Sequence, residues 1–236
     1  MRMTIPIKGI ISSDDNFEVY QWLGYTAVSP NTVADMLGQL NDGEPAKIEI
    51  NSYGGDVFAG SEIFTALKSY AGTVEVNIVG LAASAASIIA MAGDTVKISP
   101  TAQLMIHRAS TASAGNSDDL ASDLQGLDAT DQAIVNVYAD KTGLDKQTIY
   151  KMMSDATWIN AETAIKRGFA DEIMFTDQAT TITNNTGQML LNKDAIAKVK
   201  TLIHKNKQQN NVEKNKKIED ELSQLKEKKL AILLSK

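Results

Sequence analysis

The chain of 236 residues contains no cysteine, which excludes disulfides, thiolate metal ligands and a cysteine nucleophile. Only two histidines are present, His107 and His204, so a histidine-based metal centre is disfavoured, and we expect neither a metal nor a cofactor. No stretch reaches the roughly 18 apolar residues that span a bilayer, and the first residues lack the apolar run of a signal peptide. We therefore expect a cytoplasmic protein that makes no contact with a membrane.

The charge is unevenly distributed along the chain, although the net charge is only −6. Residues 193–236 carry 12 lysines and 6 acidic residues, whereas the first 192 residues carry 11 basic and 23 acidic residues. An acidic body disfavours nucleic acid as a partner, because phosphate contacts need clustered Lys and Arg. The composition predicts a body over 1–176, a Thr/Asn-rich linker over 177–192 and a charged, helical or disordered tail over 193–236.

The body is predicted to alternate between strands and helices. The apolar patterns predict strands at Lys8–Ile11, Ile48–Asn51, Val74–Val79, Val96–Ile98 and Leu104–Ile106. They predict helices at Asn31–Leu40, Gly60–Tyr70, Ala82–Ala92, 118–141, Asp145–Met153 and Asn160–Gly168, and a polar turn at 12–16. This alternation indicates an α/β fold in which crossover helices flank a mainly parallel sheet.

Ser84 and His107 are the first candidates for chemistry. His107 follows the apolar run Leu104–Ile106, so a parallel strand would place it at the carboxyl edge of the sheet, where catalytic groups collect. Ser84 follows a strand and a glycine near the start of a helix, and a serine hydroxyl becomes a good nucleophile when a histidine takes its proton. The alternatives are a structural histidine and a small serine that packs in an Ala-rich helix, as we expect for Ser87.

Two adjacent glycines, Gly54 and Gly55, lie between a predicted strand and a predicted helix. Glycines allow the backbone to point N–H groups towards a bound carbonyl, and each such donor to a tetrahedral intermediate is worth about 3 kcal/mol. A tight turn without a catalytic role would use the same residues. This motif is therefore informative only together with Ser84 and His107.

Taken in order, these motifs resemble the proteolytic subunit of the Clp protease. The resemblance covers roughly residues 5–175 and implies the ClpP/crotonase-like form of the α/β fold. It is carried by the strand and glycine pair Ile48–Gly55, the serine turn Gly80–Ser87, the histidine strand Leu104–His107, and the closing segments Trp158–Glu162 and Gly168–Ile173.

The resemblance implies a serine endopeptidase that acts on protein or peptide substrates through an acyl-enzyme. Ser84 is then the nucleophile and His107 the general base, with the backbone N–H groups of Gly55 and Ala85 forming the oxyanion hole. The family's aspartate usually lies two residues before the aromatic that matches Trp158, but this chain has Ala156 there. We assign Asp155 as the third member of the triad. The alternatives are a dyad and a surface aspartate that caps a turn.

Two segments resemble phage-encoded members of the family: Gln21–Thr26 and Ala83–Ile89. Those phage members resemble head maturation proteases, which trim scaffold and capsid proteins during assembly. That branch implies scaffold or capsid proteins as partners, a location in the host cytoplasm or the prohead, and a tail that the enzyme could remove from itself. The wider family implies a homo-oligomeric ring. We identify no docking feature for a partner ATPase, so dependence on ATP is not expected.

Two rival functions remain open at this point. A crotonase-type acyl-CoA enzyme would share the fold and the paired N–H groups, but such enzymes stabilise an enolate and do not need Ser84. A catalytically inactive, ring-forming scaffold protein would keep the fold without the chemistry, and the displaced aspartate is consistent with that alternative.

Overall fold

Strands and helices alternate along residues 3–176, the part of the chain that the computed structural model describes. The strands are β1 (Thr4–Ile11), β2 (Ala27–Val28), β3 (Ala46–Gly55), β4 (Val74–Ala83), β5 (Thr95–Ile98), β6 (Gln103–Ile106), β7 (Thr157–Asn160) and β8 (Glu172–Ile173). The helices are α1 (Asp14–Trp22), α2 (Pro30–Gly38), α3 (Val57–Lys68), α4 (Ala85–Ala90), α5 (Ser117–Thr142), α6 (Lys146–Ser154) and α7 (Ala161–Lys166). The predicted linker 177–192 and tail 193–236 lie outside the described residues.

The predicted α/β fold with a mainly parallel sheet is confirmed. The main path of the sheet runs in the order β2-β1-β3-β4-β5-β8, and every neighbouring pair along it is parallel. β6 is parallel to β4, and β7 is antiparallel to β6. Helices connect the parallel strands, as the geometry of a parallel sheet requires.

One face of the sheet is apolar and the other is charged. Ile48 and Ile50 of β3 are completely buried, and the side chains between them alternate to the other face. On that face Glu75 of β4 forms ion pairs with Lys47 and Lys97 on the neighbouring strands. Partial burial would raise the pKa of Glu75, but hydrogen bonds from Asn77 and Lys97 and the charge of Lys97 outweigh it and lower the pKa below its usual value.

Strand β4 has two different neighbours along its length, and this division positions the candidate site. Residues 75–78 pair with β5. Residues 81–83 leave β5 and pair with β6 instead. The last part of β4 therefore keeps β3 on one side, through the pair Ser52 and Ala82, and has β6 on the other, with β7 beyond β6.

Three features of the fold differ from the sequence predictions. The predicted turn at 12–16 contains the start of α1, because Asp residues that favour turns also favour the first turn of a helix. Strand β4 continues through Gly80, since its last residues gain a partner in β6, and α4 consequently begins at Ala85. The short strands β2, β7 and β8 were not predicted.

Within residues 3–176, no helix is long enough and apolar enough to cross a membrane.

Candidate active site

The pairing of β4 with β6 brings Ser84 and His107 together. Ala83 lies opposite Met105 in the parallel register, and the Ser84 N–H donates a hydrogen bond of 3.0 Å to the Met105 carbonyl oxygen. His107 follows two residues later on the same segment. Its Nε2 lies 2.7 Å from Ser84 Oγ, which is within hydrogen-bonding distance. A hydroxyl and an imidazole in this arrangement can exchange a proton.

Ser84 occupies a sharp turn between β4 and α4. Its φ of 54° and ψ of −127° are unusual for a residue with a side chain, and such conformations cost on the order of 1–3 kcal/mol. The turn directs the hydroxyl away from the sheet and towards His107. Ala85 is the first residue of α4, so its backbone N–H has no acceptor within the helix and is available to a ligand.

The glycine pair allows the end of β3 to approach the Ser84 turn. Gly54 has a φ of +99°, and a Cβ on it would lie 2.7 Å from the Ala83 carbonyl oxygen and 2.8 Å from Ser84 Cβ. Gly55 has a φ of +150°, and a Cβ there would lie 2.1 Å from the Ile11 carbonyl oxygen. Any larger residue at either position would therefore push β3 away from its neighbours.

A cleft of about 580 Å³ is lined by all four residues that the family resemblance implied for the nucleophile, base and oxyanion hole: Gly55, Ser84, Ala85 and His107. Its opposite wall comes from α5, where Thr130, Ile134 and Tyr138 follow one another at one-turn spacing. This volume falls in the range typical of ligand-binding clefts. An extended peptide that entered the cleft would pass Ser84 Oγ.

The residues after His107 are anchored to α5 through a buried aspartate. Asp131 is completely buried, and it accepts hydrogen bonds from Arg108 Nε at 2.6 Å and from the Ala109 N–H at 2.8 Å. The hydrogen bond to Asp131 raises the pKa of Arg108. The guanidinium also lies over the ring of Tyr150, 5.1 Å from its centre. These contacts fix the backbone directly beyond the imidazole.

The structure does not bring Asp155 to His107. Asp155 follows α6, where its carboxylate pairs with Lys151 at 3.0 Å and is more than half exposed. It lines a separate surface depression together with Arg167, away from the cleft. Within the described residues, the His107 ring forms its hydrogen bond with Ser84 Oγ. The predicted triad of Ser84, His107 and Asp155 is therefore not formed among these residues.

Ala156 lies where a partner for the imidazole would be expected. The antiparallel register pairs Ile106 with Thr157, so one further step places Ala156 opposite His107. Ala156 has a φ of +47°, a left-handed conformation that Asp and Asn adopt more readily than Ala. Its methyl group cannot accept a hydrogen bond.

Three residues near the site were not recognised from the sequence as part of it. Asp131 and Tyr138 lie on α5, and Ser87 was interpreted as a packing residue of α4. Ser87 is fully buried, but its hydroxyl also donates a hydrogen bond of 2.6 Å to the Ser84 carbonyl oxygen. The spacing of three residues, almost one helical turn, is the signal that could have suggested this contact.

A protein-family model described as "Clp protease" matches residues 26–177, which include the segments around Gly54, Ser84 and His107. The ATP-dependent Clp protease proteolytic subunit 1 of Chlamydia abortus is 30% identical over 158 residues, which are 63% of this chain and 82% of that protein. The ATP-dependent Clp protease proteolytic subunit of Deinococcus radiodurans is 28% identical over 59% of this chain and 69% of its own. The corresponding subunit of Bacteroides fragilis is 29% identical over 64% of this chain and 73% of its own.

Proposed function

Because the chain belongs to the Clp protease family, we propose that its peptidase chemistry is carried out by Ser84 and His107 acting as a pair. The protein is a serine endopeptidase. The observation that carries the assignment of residues is the 2.7 Å contact between Ser84 Oγ and His107 Nε2 at the rim of a cleft.

Acylation follows from this geometry. Ser84 Oγ attacks the carbonyl carbon of the peptide bond, and His107 Nε2 accepts the hydroxyl proton. The negative charge that develops on the carbonyl oxygen is stabilised by the N–H groups of Gly55 and Ala85. His107 then donates its proton to the leaving amine, the C–N bond breaks, and the acyl group remains on Ser84 as an ester.

Deacylation reverses the roles of the same groups. A water molecule attacks the ester carbonyl while His107 Nε2 accepts a proton from the water. The second tetrahedral intermediate collapses, His107 returns the proton to Ser84 Oγ, and the carboxylic acid product leaves. No electron transfer and no further reactant are needed.

The pair works without a carboxylate partner among the described residues. His107 Nε2 must be unprotonated to accept the serine proton, and an aspartate normally selects that tautomer and stabilises the imidazolium. Because Ala156 lies opposite His107 and its methyl group cannot accept a hydrogen bond, the tautomer of the imidazole is set by its hydrogen bond with Ser84. We therefore expect slower turnover than in a full triad.

Labelling with a fluorophosphonate tests the assignment directly. We expect one adduct per chain, located on Ser84 by peptide mass mapping, and no adduct in Ser84→Ala or His107→Ala. Ser154→Ala, which changes an exposed serine of α6, is the matched control and should label normally. A folded protein that hydrolyses casein equally well with and without Ser84 would refute the assignment.

Neither rival function is favoured. A crotonase-type acyl-CoA enzyme has no use for the contact between Ser84 and His107, and family membership supports peptide hydrolysis. An inactive scaffold protein would not need to maintain the unusual conformation of Ser84.

Within the family, we place the protein in the phage head maturation branch, with scaffold or capsid proteins as its substrates. The support is the resemblance of Gln21–Thr26 and Ala83–Ile89 to phage-encoded members and the charged sequence at 193–236. The prediction of self-trimming is tested by comparing the masses of the active chain and Ser84→Ala after expression. Loss of tail residues from the active chain alone would support it, and two intact chains of matching mass would contradict it.

Assembly into a homo-oligomeric ring is also expected. Within residues 3–176, large apolar side chains are exposed on α5 at Leu120 and Leu124 and on β7 at Trp158. Exposed apolar groups of this kind are typical of surfaces that another subunit covers. Native mass spectrometry would give the subunit number, and a monomer at micromolar concentration would contradict the proposal.

Activity should not require ATP, although the relatives are named as ATP-dependent. We expect hydrolysis of unstructured casein without nucleotide or a second protein. Turnover that appears only with an added ATPase would contradict this expectation.

A further inference from the structure

We propose that Ser87 and Tyr138 form a buried chain of hydroxyl groups that positions Ser84 for attack, a role that rests on the proposed function. Both residues act through the backbone of Ser84 and touch neither the base nor the scissile bond. They are positioning residues.

The chain consists of two short hydrogen bonds. Ser87 Oγ lies 2.6 Å from the Ser84 carbonyl oxygen and 2.7 Å from the Tyr138 hydroxyl oxygen. Ser87 is 0% exposed and Tyr138 is 1% exposed, so water does not compete for these groups. The ring of Tyr138 is itself held by an edge contact with Phe169, with the ring centres 5.9 Å apart.

The direction of the two hydrogen bonds follows from the number of protons. A carbonyl oxygen can only accept a hydrogen bond, so the single O–H of Ser87 must donate to the Ser84 carbonyl oxygen. The Tyr138 O–H must therefore donate the hydrogen bond that joins it to Ser87 Oγ. Burial raises the pKa of Tyr138, so its hydroxyl keeps that proton at every pH at which the enzyme is expected to work.

The Ser84 backbone is held from both sides. Its N–H is bonded to the Met105 carbonyl oxygen on the strand that leads to His107. Its carbonyl oxygen accepts hydrogen bonds from the Ser87 hydroxyl at 2.6 Å, the Ser87 N–H at 2.9 Å and the Ile88 N–H at 3.4 Å, and the bond from the hydroxyl is the shortest of the three. Ser84 has an unfavourable φ of 54°, which persists only while the surroundings impose it. Removal of the hydroxyl contact lets the turn relax and moves Ser84 Oγ off the line to His107 Nε2.

This arrangement predicts an effect on the chemical step and not on substrate binding. Ser87→Ala and Tyr138→Phe each remove one oxygen and keep the packing, and Phe keeps the aromatic ring that lines the cleft. Small displacements of a nucleophile reduce the rate strongly, because attack needs close alignment. We expect kcat for casein and the fluorophosphonate labelling rate to fall about tenfold in Ser87→Ala. The fall should be about fivefold in Tyr138→Phe, which keeps the Ser87 hydroxyl but removes the donor that orients it. KM should change less than twofold in both variants.

The matched control is Tyr70→Phe. Tyr70 also donates its hydroxyl proton to a backbone carbonyl oxygen, that of Glu44 at 2.6 Å, but on a connection away from the cleft. Its loss should change kcat and the labelling rate less than twofold. The double variant Ser87→Ala/Tyr138→Phe should be no slower than Ser87→Ala, because Tyr138 acts only through Ser87 Oγ.

All rates are measured below the melting temperature of each variant, and Tyr138→Phe decides the question alone if Ser87→Ala does not fold. Labelling rates of the two variants within twofold of Tyr70→Phe, or losses confined to KM, would overturn the proposal. A fully active Ser84→Ala would instead overturn the proposed function, so the two failures are distinguishable.

Discussion

The two members of the candidate catalytic pair are held in very different ways. Ser84 is fixed through its backbone: its N–H bonds to Met105, its carbonyl oxygen bonds to Ser87, and Gly54 packs against it. The imidazole of His107 forms one hydrogen bond among the described residues, which is the bond to Ser84 itself. The nucleophile is positioned by the fold, whereas the base is oriented mainly by the nucleophile.

This difference shows where the protein tolerates change. The contact of the Ser84 N–H is set by the register of β4 with β6, and the contacts of its carbonyl oxygen are set by the first turn of α4. Side-chain substitutions on the serine side therefore matter only where they alter that backbone. The orientation of the imidazole depends on a side-chain contact and on the anchoring of the next residues by Asp131. Substitutions near the Ser84 backbone should therefore have larger effects than substitutions near the His107 ring, and a substitution away from both should have almost none.

The largest effect is expected for Gly54→Ala. The new methyl group would lie within 3.0 Å of Ala83, Ser84 and Ala85 backbone or Cβ atoms, and the φ of +99° is unfavourable for any L side chain. We expect kcat to fall by at least about 100-fold, since a displacement on the order of 1 Å near the reacting atoms has that effect. Steady-state hydrolysis of casein measures it.

Gly38→Ala serves as the control for Gly54→Ala. Gly38 ends α2, and no atom beyond its chain neighbours and the backbone of its own helix lies within 4 Å of the position of its Cβ. Activity should be unchanged. If Gly54→Ala kept more than a tenth of the activity, close approach of β3 would not be what positions Ser84.

Asp131→Asn weakens the anchor on the histidine side and ranks second. The amide keeps the shape of the side chain but removes the charge that faces Arg108, which we expect to lower the free energy of unfolding by about 2 kcal/mol. Activity should fall about tenfold as the segment after His107 loosens. Chemical denaturation and casein hydrolysis measure the two effects.

Asp128→Asn provides the contrast, because Asp128 pairs with the same Arg108 but is 61% exposed. An exposed pair contributes at most about 1 kcal/mol, so this variant should be close to the wild type in stability and activity. Equal losses in the two variants would show that burial of Asp131 is not what makes it important.

Ala156→Asp would add the carboxylate that the histidine side lacks and is third in size. Aspartate adopts the left-handed backbone at this position more readily than alanine, and a carboxylate beside His107 stabilises the imidazolium. We expect kcat to rise about fivefold. The acidic limb of the pH–rate profile should move to higher pH, because a nearby negative charge raises the pKa of an imidazole.

Ala156→Asn separates charge from backbone preference. Asparagine also adopts the left-handed backbone more readily than alanine, but it adds no charge, so the pH–rate profile should not shift. An identical gain in both variants would mean that the backbone, and not the carboxylate, limits the wild type.

Sequence reasoning predicted the serine side better than the histidine side, and the reason is the distance of the contacts along the chain. The glycine pair, Ser84 and His107 belong to short motifs that can be recognised locally, and their meeting follows from parallel strands. The position of Asp131 depends on how α5 packs against α4 and α6, which no local pattern specifies. Similarly, β7 has only four residues and exists because it pairs with β6.

The smallest effect is expected for Asp155→Asn. Its carboxylate forms an exposed i,i+4 pair with Lys151, and pairs of this kind contribute about 0.3–0.5 kcal/mol. Because such a pair is weak, we expect kcat of Asp155→Asn to be within about twofold of the wild-type value. The midpoints of its pH–rate profile should lie within about 0.2 pH units of those of the wild type. A fall of 100-fold or more would instead mean that the segment around Ala156 rearranges during catalysis and delivers Asp155 to His107. That result would remove the difference between the two sides of the pair, since His107 would then also be held by a specific contact.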